Sequence, residues 1–158
     1  MNSGKSIKRL ENELKSIQKT PAYNSTVLLE KEDQLNKWLI LMQGPADTPY
    51  EAGVFKLEFK FPDNYPFKAP EVKFLTSIYH PNIKLETGDI CQDIFASGWA
   101  PTQKVTNILE KLVSMLKEPA TNNPLENEIC NEYMNNRNQF DQKAREHTIK
   151  HATNFRFI

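Results

Sequence analysis

The stretch Gly53-Val54-Phe55-Lys56-Leu57-Glu58-Phe59-Lys60-Phe61 alternates without a break. Phe55, Leu57, Phe59 and Phe61 fall on one side, and Val54, Lys56, Glu58 and Lys60 on the other. A period of two predicts a strand with one face in a core. Working outward, Thr26 to Leu29 and Lys37 to Met42 are strand-like runs upstream, and Glu71 to Leu75 is one downstream. The connection Gly44-Pro45-Ala46-Asp47-Thr48-Pro49 is rich in turn formers. Pro62, Pro66 and Pro70 punctuate the approach to the fourth run, and Tyr65-Pro66 is a candidate cis bond. At the start of the chain Ile7, Leu10, Leu14 and Ile17 recur at helical spacing, behind Ser3 as a possible cap and ahead of Pro21. Lys5, Lys8, Arg9, Lys15 and Lys19, with Glu11 and Glu13, are assigned to its outer face. Past residue 101, Val105, Ile108, Leu109, Leu112, Val113 and Leu116 make an apolar stripe. A shorter helix is predicted near Leu125 to Met134, and a last one from about Asn136 carries Phe140, Ala144, Thr148 and Ala152. Helix, four-stranded antiparallel meander, long loop, then helices is an α+β order. No repeat or linker divides residues 1–158, so one domain is expected, with a short tail near 153–158.

Twenty basic residues balance twenty acidic ones, so bulk charge argues for neither nucleic acid nor an anionic membrane. No run approaches the ~20 apolar residues of a membrane span. The N-terminus lacks a stretch of signal-peptide type. A cytoplasmic or nuclear protein with free thiols is the expectation, which makes each of the two cysteines, Cys91 and Cys130, a chemical question.

Between Ile78 and Pro101 neither periodicity survives, and a loop that long inside a domain is usually functional. Cys91 lies within it, three residues after Gly88. A small buried hydrophobe and an exposed nucleophile are evenly matched readings of that thiol. Upstream stands His80-Pro81-Asn82. The histidine suggests a Cys–His pair, but imidazoles more often serve loop hydrogen bonding. The Asn82 amide is a neutral donor suited to an oxyanion formed when an amine attacks an acyl-thioester.

His80-Pro81-Asn82-Ile83, Gly88-Asp89-Ile90-Cys91, Asp93-Ile94 and Trp99-Ala100-Pro101 together resemble the active-site signature of ubiquitin-conjugating enzymes. So do Gly44-Pro45 with Tyr50, Gly53-Val54-Phe55, Phe61-Pro62 through Tyr65-Pro66-Phe67, Asn123-Pro124-Leu125 and Ala144-Arg145-Glu146-His147-Thr148. The resemblance spans nearly the whole chain. It implies that Cys91 accepts ubiquitin from an activating enzyme as a thioester and passes it to a substrate lysine or a ligase cysteine. It implies that Asn82 serves the oxyanion and the loop, that His80 holds the loop's shape, and that Asp93 positions the incoming amine. Phe67, Trp99, Ala100 and Pro101 would form a ligase-docking surface, with Lys8 and Arg9 contributing to ligase and activating-enzyme binding. Ubiquitin, activating enzyme, ligases and substrate proteins are the implied partners. No bound cofactor or metal is implied, because ATP is consumed by the upstream activating enzyme. The alternatives are a different ubiquitin-like modifier, or a non-catalytic ubiquitin-binding variant, which Cys91 disfavours. A thiol hydrolase is the competing enzyme class, and no resemblance supports it.

Three positions depart from the family pattern. Gln92 follows the cysteine where many members have Leu, and an extra residue falls between Ile83 and Gly88. Asn123 occupies a gate position that is usually acidic, and an amide can accept a hydrogen bond from an ammonium group but cannot take its proton. Glu118 and Glu126 are the nearby carboxylates. Cys130 is assigned to core packing and His147 with His151 to a solvated face. The tail Asn154-Phe155-Arg156-Phe157-Ile158 is unusually apolar for a terminus.

Overall fold

The structure is a computed structural model that describes residues 4–23, 25–29, 31, 33–91, 95 and 97–153. Ser3, Gln92, Asp93, Ile94 and the tail 154–158, all singled out above, lie outside the described residues. Helix α1 (Gly4–Lys19) leads into four strands, β1 (Ser25–Leu28), β2 (Lys37–Gln43), β3 (Val54–Lys60) and β4 (Glu71–Phe74). They form an antiparallel meander in the order β1-β2-β3-β4. Helices α2 (Val105–Lys117), α3 (Asn127–Asn135) and α4 (Arg137–Ala152) complete the α+β order that the sequence predicts.

The sheet's register follows from side-chain alternation. Ile40 pairs with Leu57, Met42 with Phe55, and Phe59 with Val72, and all six side chains are buried. These inward residues join Leu10, Leu14 and Ile17 of α1, Ile108, Leu109 and Leu112 of α2, and Phe140 and Ala144 of α4 in one core. A one-residue slip in β3 would turn its Phe55, Leu57 and Phe59 to the opposite face, which is why the alternating stretch decides the fold. Each of those three is fully buried and accounts for about 2–3 kcal/mol of burial.

Several helical positions differ from the sequence reading. Ile7 is 38% exposed, Met115 joins the buried face of α2 where Val113 is only half-buried, and Glu13 is buried at 7%. Ile7, Val113 and Met115 sit at the edge of an apolar stripe, where a 100° step decides the face. Glu13 is held inside by polar partners. The last helix follows its predicted pattern, with Phe140, Ala144, Thr148 and Ala152 all buried.

The connection between β2 and β3 is locked by a close approach. A Cβ on Gly44 would stand 1.7 Å from the Tyr50 carbonyl oxygen, so only glycine fits. Tyr50 is buried, donates its hydroxyl to the Tyr79 carbonyl (2.7 Å) and lies against the His80 ring with centroids 5.9 Å apart. The Tyr65–Pro66 bond is cis, as proposed from sequence.

Candidate active site

Cys91 follows a small irregular hairpin attached to β4. Lys73 bridges Asp89, and Ile83 bridges Ile90. The Phe74 amide donates to the Gly88 carbonyl (2.9 Å). Gly88 has φ +78, and a Cβ there would lie 1.8 Å from the Phe74 carbonyl oxygen. The turn closes through Lys84 N–H to Asp89 O (2.9 Å) and Gly88 N–H to Lys84 O (2.8 Å). Ile83 (0%) and Ile90 (3%) are driven into the core, so the residue after Ile90 emerges at a fixed point. That residue is Cys91, whose side chain is half-buried, whereas Cys130 is buried. The 84–87 turn is also tied from outside, by the Leu85 amide donating to Glu126 Oε2 (2.8 Å). Glu126 is thereby committed to the turn.

The His80-Pro81-Asn82 block fastens this hairpin to the chain beyond α2. His80 is wholly buried, with Nε2 2.9 Å from the Met115 carbonyl and Nδ1 3.0 Å from the Asn82 amide. A carbonyl only accepts and an amide N–H only donates, which sets the neutral Nε2–H tautomer. Burial lowers its pKa to about 4 despite the opposing Met115 bond. Both ring nitrogens are committed within the chain, which leaves neither free to face the thiol as a base. The Pro81 carbonyl accepts from the amides of Leu125 (3.0 Å) and Glu126 (3.1 Å). Asn82 (3% exposed) donates Nδ2–H to the Ala120 carbonyl (2.8 Å) and accepts from the Ala120 amide (2.9 Å). The loop 118–124 is therefore held against the hairpin by an amide that mimics a backbone pair. Asn123 is exposed in this loop with φ +51, a conformation that Asn and Asp adopt more readily than other side-chain-bearing residues.

On another part of the molecule Phe67 is 74% exposed, Trp99 and Ala100 are half-buried and Pro101 is exposed. Trp99 donates Nε1–H to the Pro66 carbonyl (2.8 Å), and its ring lies 6.0 Å from that of Tyr65. Gln103 closes the segment, with Nε2 bonded to the Gly98 carbonyl (2.9 Å) and its amide to the Ala100 carbonyl (2.9 Å). Lys8 is exposed. Arg9 bonds Glu13 through Nε (2.9 Å), the Pro101 carbonyl through Nη1 (2.7 Å) and the Gln103 carbonyl through Nη2 (2.6 Å).

Glu13 corrects the sequence reading, which placed it on the solvated face. Its carboxylate accepts from the Arg9 guanidinium, the Tyr65 hydroxyl and the Val105 amide (2.9 Å), the last at the first residue of α2. Burial and the Glu13 carboxylate push the Tyr65 phenol well above its usual range, so that hydroxyl stays a donor. The i,i+4 pair Arg9–Glu13 was visible in sequence, but nothing there marks one member as buried. His147 is a second correction. It is half-buried and hydrogen-bonded to Ser77 Oγ (2.8 Å), while His151 is exposed with its ring 4.2 Å away. Among the described residues no group of three or more His, Cys, Asp or Glu is placed to hold a metal. Cys130 packs in the core as assigned.

A family model described as "Ubiquitin-conjugating enzyme" matches residues 9–148. A Dictyostelium discoideum protein named ubiquitin conjugating enzyme E2 B is 43% identical over 146 residues, 92% of this chain and 97% of that one. An Arabidopsis thaliana relative named as a ubiquitin-conjugating enzyme E2 is 44% identical over 125 residues, covering 79% and 80% of the two chains. The solved E2 domain of a Toxoplasma gondii ubiquitin conjugating enzyme superposes with TM-score 0.85 at 33% identity, covering 92% of this chain and 98% of that one.

Proposed function

The chain belongs to the ubiquitin-conjugating enzyme family, whose members are transferases that act through a cysteine thioester, and from that premise we propose that Cys91 is the carrier. The observation that carries the assignment is the half-buried thiol standing directly after a hairpin pinned through His80, Pro81 and Asn82. A thiol partly open to solvent can form the thiolate, the nucleophilic species.

In loading, the Cys91 thiolate attacks the thioester carbonyl at ubiquitin's C-terminus on the activating enzyme. A new C–S bond forms and the donor C–S bond breaks, releasing the donor thiolate. In discharge a lysine amine attacks the Cys91 thioester, its proton leaves to a base or water, and the C–S bond breaks as the amide forms. An amide nitrogen carries two hydrogens. Asn82 gives one to Ala120, and its second is our candidate for the oxyanion of that step. Asp93 is the candidate for positioning the amine. His80, neutral and committed at both nitrogens, takes no proton, which argues against a thiol hydrolase.

At the gate, Asn123 supplies no carboxylate, and Glu126 is bonded to Leu85. Neither of these two described residues offers a free carboxylate as base to a lysine of reference pKa about 10.4. Direct discharge onto lysine is therefore slow, and transfer to a ligase cysteine is favoured. Ubiquitin is the proposed modifier, Phe67 with Trp99 to Pro101 the proposed docking face, and the cytoplasm or nucleus the proposed compartment, with no bound cofactor.

The test is to mix the chain with ubiquitin, activating enzyme and Mg-ATP. An adduct removed by thiol reductant is expected, and Cys91→Ser should give a reductant-resistant ester. Absence of any adduct refutes the assignment for ubiquitin, and loading by another modifier alone reassigns the substrate.

A further inference from the structure

Arg9 points the family reading in a direction that the geometry revises. A cationic residue on an outer helix face would reach for a partner. Here Nε, Nη1 and Nη2 are each bonded within the chain, to Glu13, Pro101 and Gln103. Two of those bonds are to carbonyls of the Trp99–Gln103 segment, and the third is to a carboxylate buried at 7%. Arg9 also lies over the Tyr65 ring, 5.6 Å from its centroid.

Glu13 extends the same connection. Its two oxygens receive the Tyr65 hydroxyl and Arg9 on one side and the Val105 amide on the other. Lys104, the residue before α2, makes no side-chain bond to cap the helix amides. The carboxylate from α1 serves that amide instead, where a negative charge is favoured by the helix dipole. Tyr65 meanwhile lies tilted beside Trp99, ring centroids 6.0 Å apart, and Trp99 is tied to Pro66. One guanidinium, one carboxylate and one phenol thus join α1, the 65–67 turn, the 99–103 segment and the start of α2.

We propose that Arg9, Glu13 and Tyr65 form an internal clamp that sets the position of the Trp99–Gln103 segment, and that Arg9 supports partner capture as a positioning residue, through that segment. The proposal rests on the reading of Phe67 and Trp99 to Pro101 as the docking face. It also explains why arginine is needed: a planar fork can serve two carbonyls and a carboxylate at once, and a lysine ammonium on a flexible stem cannot hold that geometry.

Two measurements test it. The first is ligase-stimulated discharge of the ubiquitin-loaded chain, with the concentration of the loaded chain varied, for Arg9→Lys and Tyr65→Phe. Tyr65 is 1% exposed, so an effect through it must travel by the clamp. Both variants should raise KM about fivefold or more with kcat within about twofold, a capture defect without a chemical one. The second is amide exchange in the free protein. The Val105 and Gln103 amides should exchange about tenfold faster in Arg9→Lys, with the core amides of β3 unchanged to show that the fold stands. A raised KM in Arg9→Lys alone, with exchange at 103 and 105 as in the parent, would mean that Arg9 contacts the partner directly and overturns the proposal. Faster exchange with unchanged KM overturns it equally. If the parent chain takes no ubiquitin, the thioester reading of Cys91 falls, and with it the capture role; the exchange arm still decides whether the clamp itself exists.

Discussion

Acidification should destabilise this protein through His80 in a calculable way. The imidazole is buried with its pKa lowered from 6.5 to about 4, while in the unfolded chain it returns to its ordinary value. The unfolded state therefore binds more protons between those values, so stability rises with pH across the window and is lost as pH falls from 6.5 toward 4. The whole displacement is worth about 3 kcal/mol, and the loss between about pH 7.5 and pH 5 is about 2 kcal/mol. Other groups titrate nearby, His147 among them, whose pKa is lowered by its own burial and by His151 and Lys150. Subtraction removes them: urea unfolding of the parent and of His80→Gln at both pH values isolates His80. The stability advantage of the parent should shrink by about 2 kcal/mol at the lower pH, near 1 M in urea midpoint for a typical slope. An advantage that stays constant within about 0.5 kcal/mol would refute the buried neutral imidazole. So would a His80 ring resonance titrating near the ordinary histidine pKa of about 6.5.

Three further outcomes follow from the geometry. Asn82→Ala leaves the Ala120 amide and carbonyl without their partner, and should lower stability by about 2 kcal/mol in thermal or urea unfolding while slowing discharge more than loading. Asn123→Asp keeps a residue tolerant of φ +51 and restores a carboxylate, so single-turnover discharge onto free lysine should rise about tenfold; an unchanged rate would sink the gate argument. Gly88→Ala combines a strained φ of +78 with a contact on the Phe74 carbonyl, and should cost about 2 kcal/mol or more together with a loss of Cys91 loading.

How much of this was legible in the chain depended on whether a residue's role was periodic. Phe55, Leu57 and Phe59 alternate, and Phe140, Ala144, Thr148 and Ala152 step by four, so sheet and last helix follow from spacing alone. The hairpin before Cys91 rests on single-residue bridges, which carry no period and left only a long unpatterned loop to read. His80 as a loop residue could be reasoned from the frequency of such roles, but its partner, the Met115 carbonyl, could not, since a backbone atom has no sequence signature. Glu13 and Arg9 failed for a related reason. Their spacing fits a solvated ion pair equally well, and only the arrival of Tyr65, Pro101, Gln103 and Val105 from distant parts of the chain makes one of them internal.

The bonds that seat the cysteine hairpin have a consequence for how this surface can change over time. His80 reads the carbonyl of Met115, Pro81 offers its carbonyl to the amides of Leu125 and Glu126, and Asn82 pairs with both backbone groups of Ala120. None of these uses a side chain from the receiving segment. Positions 120, 123 and 125 can thus exchange side chains, acid for amide at 123 included, without breaking these bonds, whereas Glu126 also uses its carboxylate, on the Leu85 amide. Proline at 120, 125 or 126 is the exception, because each of those residues must supply an N–H. Side chains on this loop can drift while the backbone frame beneath them stays put.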